Sequence, residues 1–122
     1  IALDWQLCGI AALGSEVASI YNTACELGVI EASHENFNEI CELYVATFNA
    51  LNPNRKCLLD DIRLTVAAQG FTILTGVGFF LANPDEASTA EQNQKKIESM
   101  VDFYSSGPTI VYAEVLQELA NF

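Results

Sequence analysis

The sequence predicts an all-α protein: a disulfide-stapled bundle of five to six helices around one very apolar central helix, in a single domain spanning residues 1–122. Three observations predict it. Apolar residues recur at spacings of three and four along most of the chain, with no alternating period-two run. Four cysteines, an even number, stand in a chain of only 122 residues. Between Leu64 and Pro84 there is no charged residue at all. Composition agrees: 51% of residues are hydrophobic and 17% charged, well under the usual quarter charged and unlike a disordered chain.

The first helix is predicted from the stripe Ile10, Leu13, Val17, Ile20, Ala24 and Leu27. It runs from about Asp4, a candidate N-cap, to Gly28, a candidate C′ glycine. Gly9 and Gly14 lie inside it and weaken a continuous rod. In the second helix Phe37, Ile40, Cys41, Tyr44, Val45, Phe48 and Leu51 form one apolar face. Ser33 or His34 starts it and Asn52-Pro53 ends it. Its outer face carries Glu35, Glu39 and Glu42, an acidic row that is either plain solvated surface or a docking face.

The third helix is predicted to begin near Asn54, with Leu58, Leu59, Ile62 and Val66, and to lead into the uncharged segment. Leu64–Pro84 holds 21 residues, enough to span a bilayer. Gln69 and three threonines lie within it, however, and amphipathic helices flank it. A helix apolar all round is then one surrounded by neighbours, and a membrane partner is not expected. Gly70, Gly76 and Gly78 either admit those neighbours closely or break the segment in two. After Asn83-Pro84, Ser88 with Glu91 reads as a capping box opening a helix that holds Ile97, Met100, Val101 and Tyr104. Ser105-Ser106-Gly107-Pro108 is a turn, and Thr109 caps a last helix with Val111, Val115, Leu116 and Leu119 inward.

Cys8, Cys25, Cys41 and Cys57 stand sixteen or seventeen residues apart, with no CxxC pair and with His34 the only histidine. That spacing excludes a structural zinc site, and no metal is expected. Disulfides in an oxidising compartment are the better reading. The chain opens on Ile1, as a secreted protein does after its signal peptide is removed, so an extracellular location is expected. No Asn-x-Ser/Thr sequon occurs. Of the three connectivities, Cys8–Cys57 with Cys25–Cys41 fits an up-down-up path best, because each pair then lies at a similar height along the bundle. Cys8–Cys25 would require the first helix to break at Gly14, since seventeen helical residues span about 25 Å.

The sequence carries little that suggests catalytic chemistry. His34 is the sole imidazole and sits in a short polar loop. Asp60 and Asp61 are adjacent on a helix and point apart, and acids in a first turn need only the helix dipole to explain them. Glu114 and Glu118 are spaced i, i+4 on an exposed helix. There is no GxGxxG, HExxH, EF-hand or nucleophile elbow. Neither an enzyme nor a bound cofactor is expected.

Arg55, Lys56, Arg63, Lys95 and Lys96 are the whole basic complement and form no stripe, which excludes nucleic acid as a partner. A net charge of −11 instead favours a basic protein surface. Phe37, Tyr44, Phe48, Phe71, Phe79, Phe80, Phe103 and Tyr104 serve either as core or as the lining of a pocket for an apolar ligand. Trp5 is a candidate interface anchor.

With Cys8, Cys25, Cys41 and Cys57, its acidic balance and the apolar Leu64–Pro84 segment, the chain resembles the small anopheline salivary proteins of the albicin type over its whole length. The resemblance implies a secreted, non-enzymatic effector that binds a host extracellular protein and inhibits a protein cascade, the C3 convertase of the alternative complement pathway. It assigns no binding residue. A second similarity is to spidroin N-terminal domains. "RKCLLDDIRL" (Arg55–Leu64) and Asp102–Phe122 match their third and last helices in layout, with Glu39, Lys56 and Glu114 near the charged positions that control dimerisation there. The uncharged segment is too long for that family, and four cysteines are too many. The alternative to an effector is a carrier holding an apolar small molecule in an internal helical cavity.

Overall fold

The computed structural model describes residues 12–83 and 86–120, and the side chains of these except 73–82, 103, 104 and 106. Five helices follow one another: α1 (Ser15–Glu26), α2 (His34–Leu51), α3 (Leu59–Ala82), α4 (Ala90–Ser106) and α5 (Pro108–Ala120). No strand occurs among the described residues. As expected of the apolar segment, α3 is central: it touches each of the other four helices, and α5 most extensively. Among the described residues no helix is long and apolar enough to cross a membrane.

Gly14 decides where α1 begins. Its φ of 88° lies in the left-handed region, where a right-handed helix cannot continue, so the expected rod from Asp4 does not pass through it. Asp4, Trp5 and Cys8 lie outside the described residues. Gly14 also packs on α3, where an added Cβ would stand 3.2 Å from Ile62 Cγ2. At the other end Gly28 takes φ 68°. Its N–H donates to the Cys25 carbonyl at 3.0 Å and that of Val29 to Ala24 at 2.9 Å, which is a Schellman motif.

The buried face of α1 differs from the expected stripe. Val17, Ala18, Tyr21 and Asn22 face inward, whereas Ile20 and Leu27 are 60% and 72% exposed. Tyr21 brings a large ring and a hydroxyl that donates to the Ser33 carbonyl at 3.2 Å. Gly14 and Ala18 are small enough to let α3 approach. One helix face cannot hold both sets, and the aromatic with a satisfied polar tip prevails.

The second helix keeps its expected bounds. The Ser33 hydroxyl accepts from the Asn36 N–H at 3.2 Å, an N-cap, and Asn52 closes the helix. Phe37 and Cys41 are buried, with Ile40, Tyr44 and Val45 packed against the core. α3 starts at Leu59, later than expected. The preceding loop is pinned by Asn49, whose side chain accepts from the Cys57 N–H at 2.8 Å and donates to its carbonyl at 3.2 Å. Rather than breaking at its glycines, α3 continues as one helix of 24 residues. The capping box of α4 is formed by Thr89 and Gln92 (3.2 and 3.0 Å), one residue after the expected Ser88/Glu91 pair. Glu91 instead meets Lys95 at 3.0 Å. The turn before α5 shrinks to Gly107, and Pro108 takes the first helical position, where its missing N–H leaves nothing unmade.

Tyr21, Phe37 and Tyr112 form the centre of the core, with ring centroids 5.5–6.0 Å apart and edge-to-face. Ile62, Val66, Ala67, Val111 and Val115 surround them. No described residue of α4 is fully buried.

The expected staples are not seen among the described residues. No disulfide joins Cys25, Cys41 and Cys57 here, and the Cys25–Cys41 bond expected from helix lengths is not shown. Cys41 lies on the inward face of α2 and is wholly buried, while Cys25 is only partly covered. Burial pushes the Cys41 thiol up to about 12. The Cys8–Cys57 bond involves a residue outside the described ones. The break at Gly14 also removes the ground on which Cys8–Cys25 was set aside.

Candidate functional site

One basic residue sits where the periodicity of α3 calls for an apolar one. Arg63 lies between Ile62 and Val66 on the inward side, and its side chain is only 8% exposed. A buried guanidinium requires partners, and two helices supply them. Nη2 donates to Glu118 Oε2 at 2.7 Å across to α5, and Nη1 to Asp60 Oδ1 at 3.1 Å one turn back. Its proton is held more tightly than usual, chiefly through the bond to Glu118. Reciprocally, Arg63 holds the Glu118 carboxyl below its ordinary range.

His34, the first residue of α2, completes the cluster. Its Nε2 lies 3.2 Å from Glu118 Oε2 and 3.3 Å from Arg63 Nη2, and Nδ1 is 4.0 Å from Glu114 Oε2. The ring therefore accepts from Arg63 or donates to Glu118, according to which nitrogen carries the proton. Nε2 is engaged by Arg63 and Glu118, whereas Nδ1 stands beyond hydrogen-bond distance of Glu114.

Alongside this cluster runs an open groove of about 780 Å³, lined by His34, Glu35, Asn38, Glu39, Glu42 and Glu118. The acidic row of α2 (Glu35, Glu39, Glu42) thus forms one wall and Glu118 of α5 contributes a fourth carboxylate. Asn38 adds a buried Oδ1 without a hydrogen-bond partner among the described residues. The groove is a surface of acceptors, suited to cationic donors.

The structure brings together residues that look unrelated along the chain. Asp60, read only as a helix-dipole acid, and Glu118, read only as exposed, grip one guanidinium. Asp61 takes no part in that pairing. Arg63, Asn38 and Glu118 were not legible as site residues, although an arginine one position from Ile62 and three from Val66 is a signal of a buried charge. Among the described residues no group of histidine, cysteine and carboxylate side chains is arranged to hold a metal ion. Of the aromatics considered for a pocket, Phe37 is core and Phe71 packs on Tyr112 with centroids 6.2 Å apart. The side chains of Phe79, Phe80, Phe103 and Tyr104 lie outside the described residues. Comparison with protein-family models, with curated proteins and with solved structures finds no match.

Proposed function

We propose that this chain is a non-enzymatic binding protein whose groove between α2 and α5 docks a basic surface of a partner protein. The observation that carries the reading is the set of four carboxylates on one groove (Glu35, Glu39, Glu42 and Glu118) in a chain of net charge −11. Arg63, the cation nearest to them, is buried and already shared between two carboxylates. An arrangement of this kind speeds encounter with basic partners and rejects acidic ones.

The resemblance to albicin-type salivary proteins makes the partner a host extracellular protein, the alternative-pathway convertase among them, and the chain an inhibitor of that cascade. Pull-down from serum with a complement haemolysis assay tests this, with E39Q/E42Q as the matched variant. Retention and inhibition that weaken in the variant are expected; no retained serum protein and no inhibition would sink the reading. Extracellular location carries its own test, a thiol count on the unreduced protein, where two disulfides are expected and four free thiols would refute it. The carrier alternative needs an enclosed cavity, which the three open recesses lined by His34, Leu64 and Ile20 do not supply.

A further inference from the structure

Beside the acidic groove lies a second recess of different character. Asp60, Asp61, Leu64, Leu116, Leu119 and Ala120 line an apolar slot of about 390 Å³ between α3 and α5. Leu64, at its mouth, is 49% exposed. The two recesses share a ridge. Glu118 lines the groove, Asp60 lines the slot, and one guanidinium, that of Arg63, holds both carboxylates. Along α5 the slot residues Leu116 and Leu119 flank Glu118 in sequence.

We infer that slot and groove form one docking surface whose occupant is a basic amphipathic segment of a partner protein. An apolar side chain seats in the slot, and lysines or arginines lie across the groove. The inference rests on the groove being a binding surface and adds what the partner must carry. Charge complementarity selects this occupant. Glu35, Glu39, Glu42 and Glu118 on the groove and Asp60 and Asp61 at the slot place six carboxylates around the surface. A neutral apolar segment would strip water from them without replacing it. A second copy of this chain, itself at −11, would be repelled. Ile20 on α1 and Leu27 and Val29 just after it make the contrasting case. They line an open apolar recess of about 430 Å³ whose lining holds no charged residue, so no charge there selects a partner.

Two helical peptides about five turns long test the surface on the full chain: one of leucine and lysine, and one with each leucine replaced by glutamine at equal charge. The leucine–lysine peptide is expected to bind more tightly at low salt. L64Q, at a half-exposed position, should weaken it about fivefold or more and leave the glutamine–lysine peptide unchanged. L64K should weaken it further, and I20Q should change neither. E39Q/E42Q should weaken both peptides. Equal affinity of the two peptides, or indifference of the leucine–lysine peptide to L64Q and L64K, would remove the slot while leaving the groove intact. Indifference of both peptides to E39Q/E42Q would remove the groove, and with it the joint surface. Sedimentation of the chain alone should give a monomer; a dimer dissociated by L64Q would assign the slot to self-association and overturn the proposal.

Discussion

α5 is fastened at its two ends by two different kinds of polar contact. Toward its N-terminus the Tyr112 hydroxyl donates to Asn22 Oδ1 at 2.5 Å, a neutral pair deep in the core. Two residues from its C-terminus, Glu118 meets Arg63 at 2.7 Å, an ion pair at the rim, with Glu118 open to water. The neutral end is closed, because Tyr112 lies directly on Gly70 of α3 and three other rings surround it. The charged end adjoins both surface recesses. One end holds the fold; the other presents a surface and holds it in place.

Gly70→Ala should break the comparison most severely. A Cβ there would overlap the Tyr112 ring, and α3 and α5 must part to relieve it. A loss of roughly 3 kcal/mol is expected, read by urea denaturation. Arg63→Ala comes next, at about 2–3 kcal/mol, through the lost aliphatic stem and the unfilled space. Arg63→Met should recover most of that, because the freed carboxylates of Asp60 and Glu118 are half-exposed and regain water. A Met variant as unstable as the Ala variant would show that charge, not packing, holds this end. Tyr112→Phe should cost about 1–2 kcal/mol by leaving Asn22 Oδ1 without its donor in the interior.

The smallest effect is the one that depends on pH. Arg63 keeps the folded-state Glu118 pKa below its ordinary value of 4.5. The carboxylate therefore contributes stability in full above that value and loses it as pH falls through the lower folded-state value. The stability difference between the parent and Glu118→Gln should be present near neutral pH and close in acid. A difference that persists in acid would mean that the pair is not electrostatic. Tyr112→Phe should show no such dependence, which separates the two ends of α5.

Some of this was legible along the chain. The bounds of α2 followed from Ser33 and Asn52-Pro53, and the C-terminal motif of α1 from Gly28, because caps are local chemistry. The central place of α3 followed from Leu64–Pro84, because a helix so apolar gathers neighbours on several sides. The face of α1 was not legible. Val17 belongs to both candidate stripes, and only the fit of Tyr21 against Phe37 and Tyr112 chooses between them. Nor was the choice of Thr89 over Ser88 as cap, since both offer a hydroxyl with a suitable residue three positions later.

The sequence by itself determined the helical class, the acidic character, the apolar central helix and the acidic row Glu35–Glu39–Glu42. These depend on residue type and on separations of a few positions. Tertiary structure alone decided that Glu118 of α5 faces that row, that Asp60 and Glu118 share Arg63, and that Leu64 meets Leu116 and Leu119 in a slot. The Arg63–Glu118 bond alone joins residues 55 positions apart, and local periodicity carries no information on which helix faces meet.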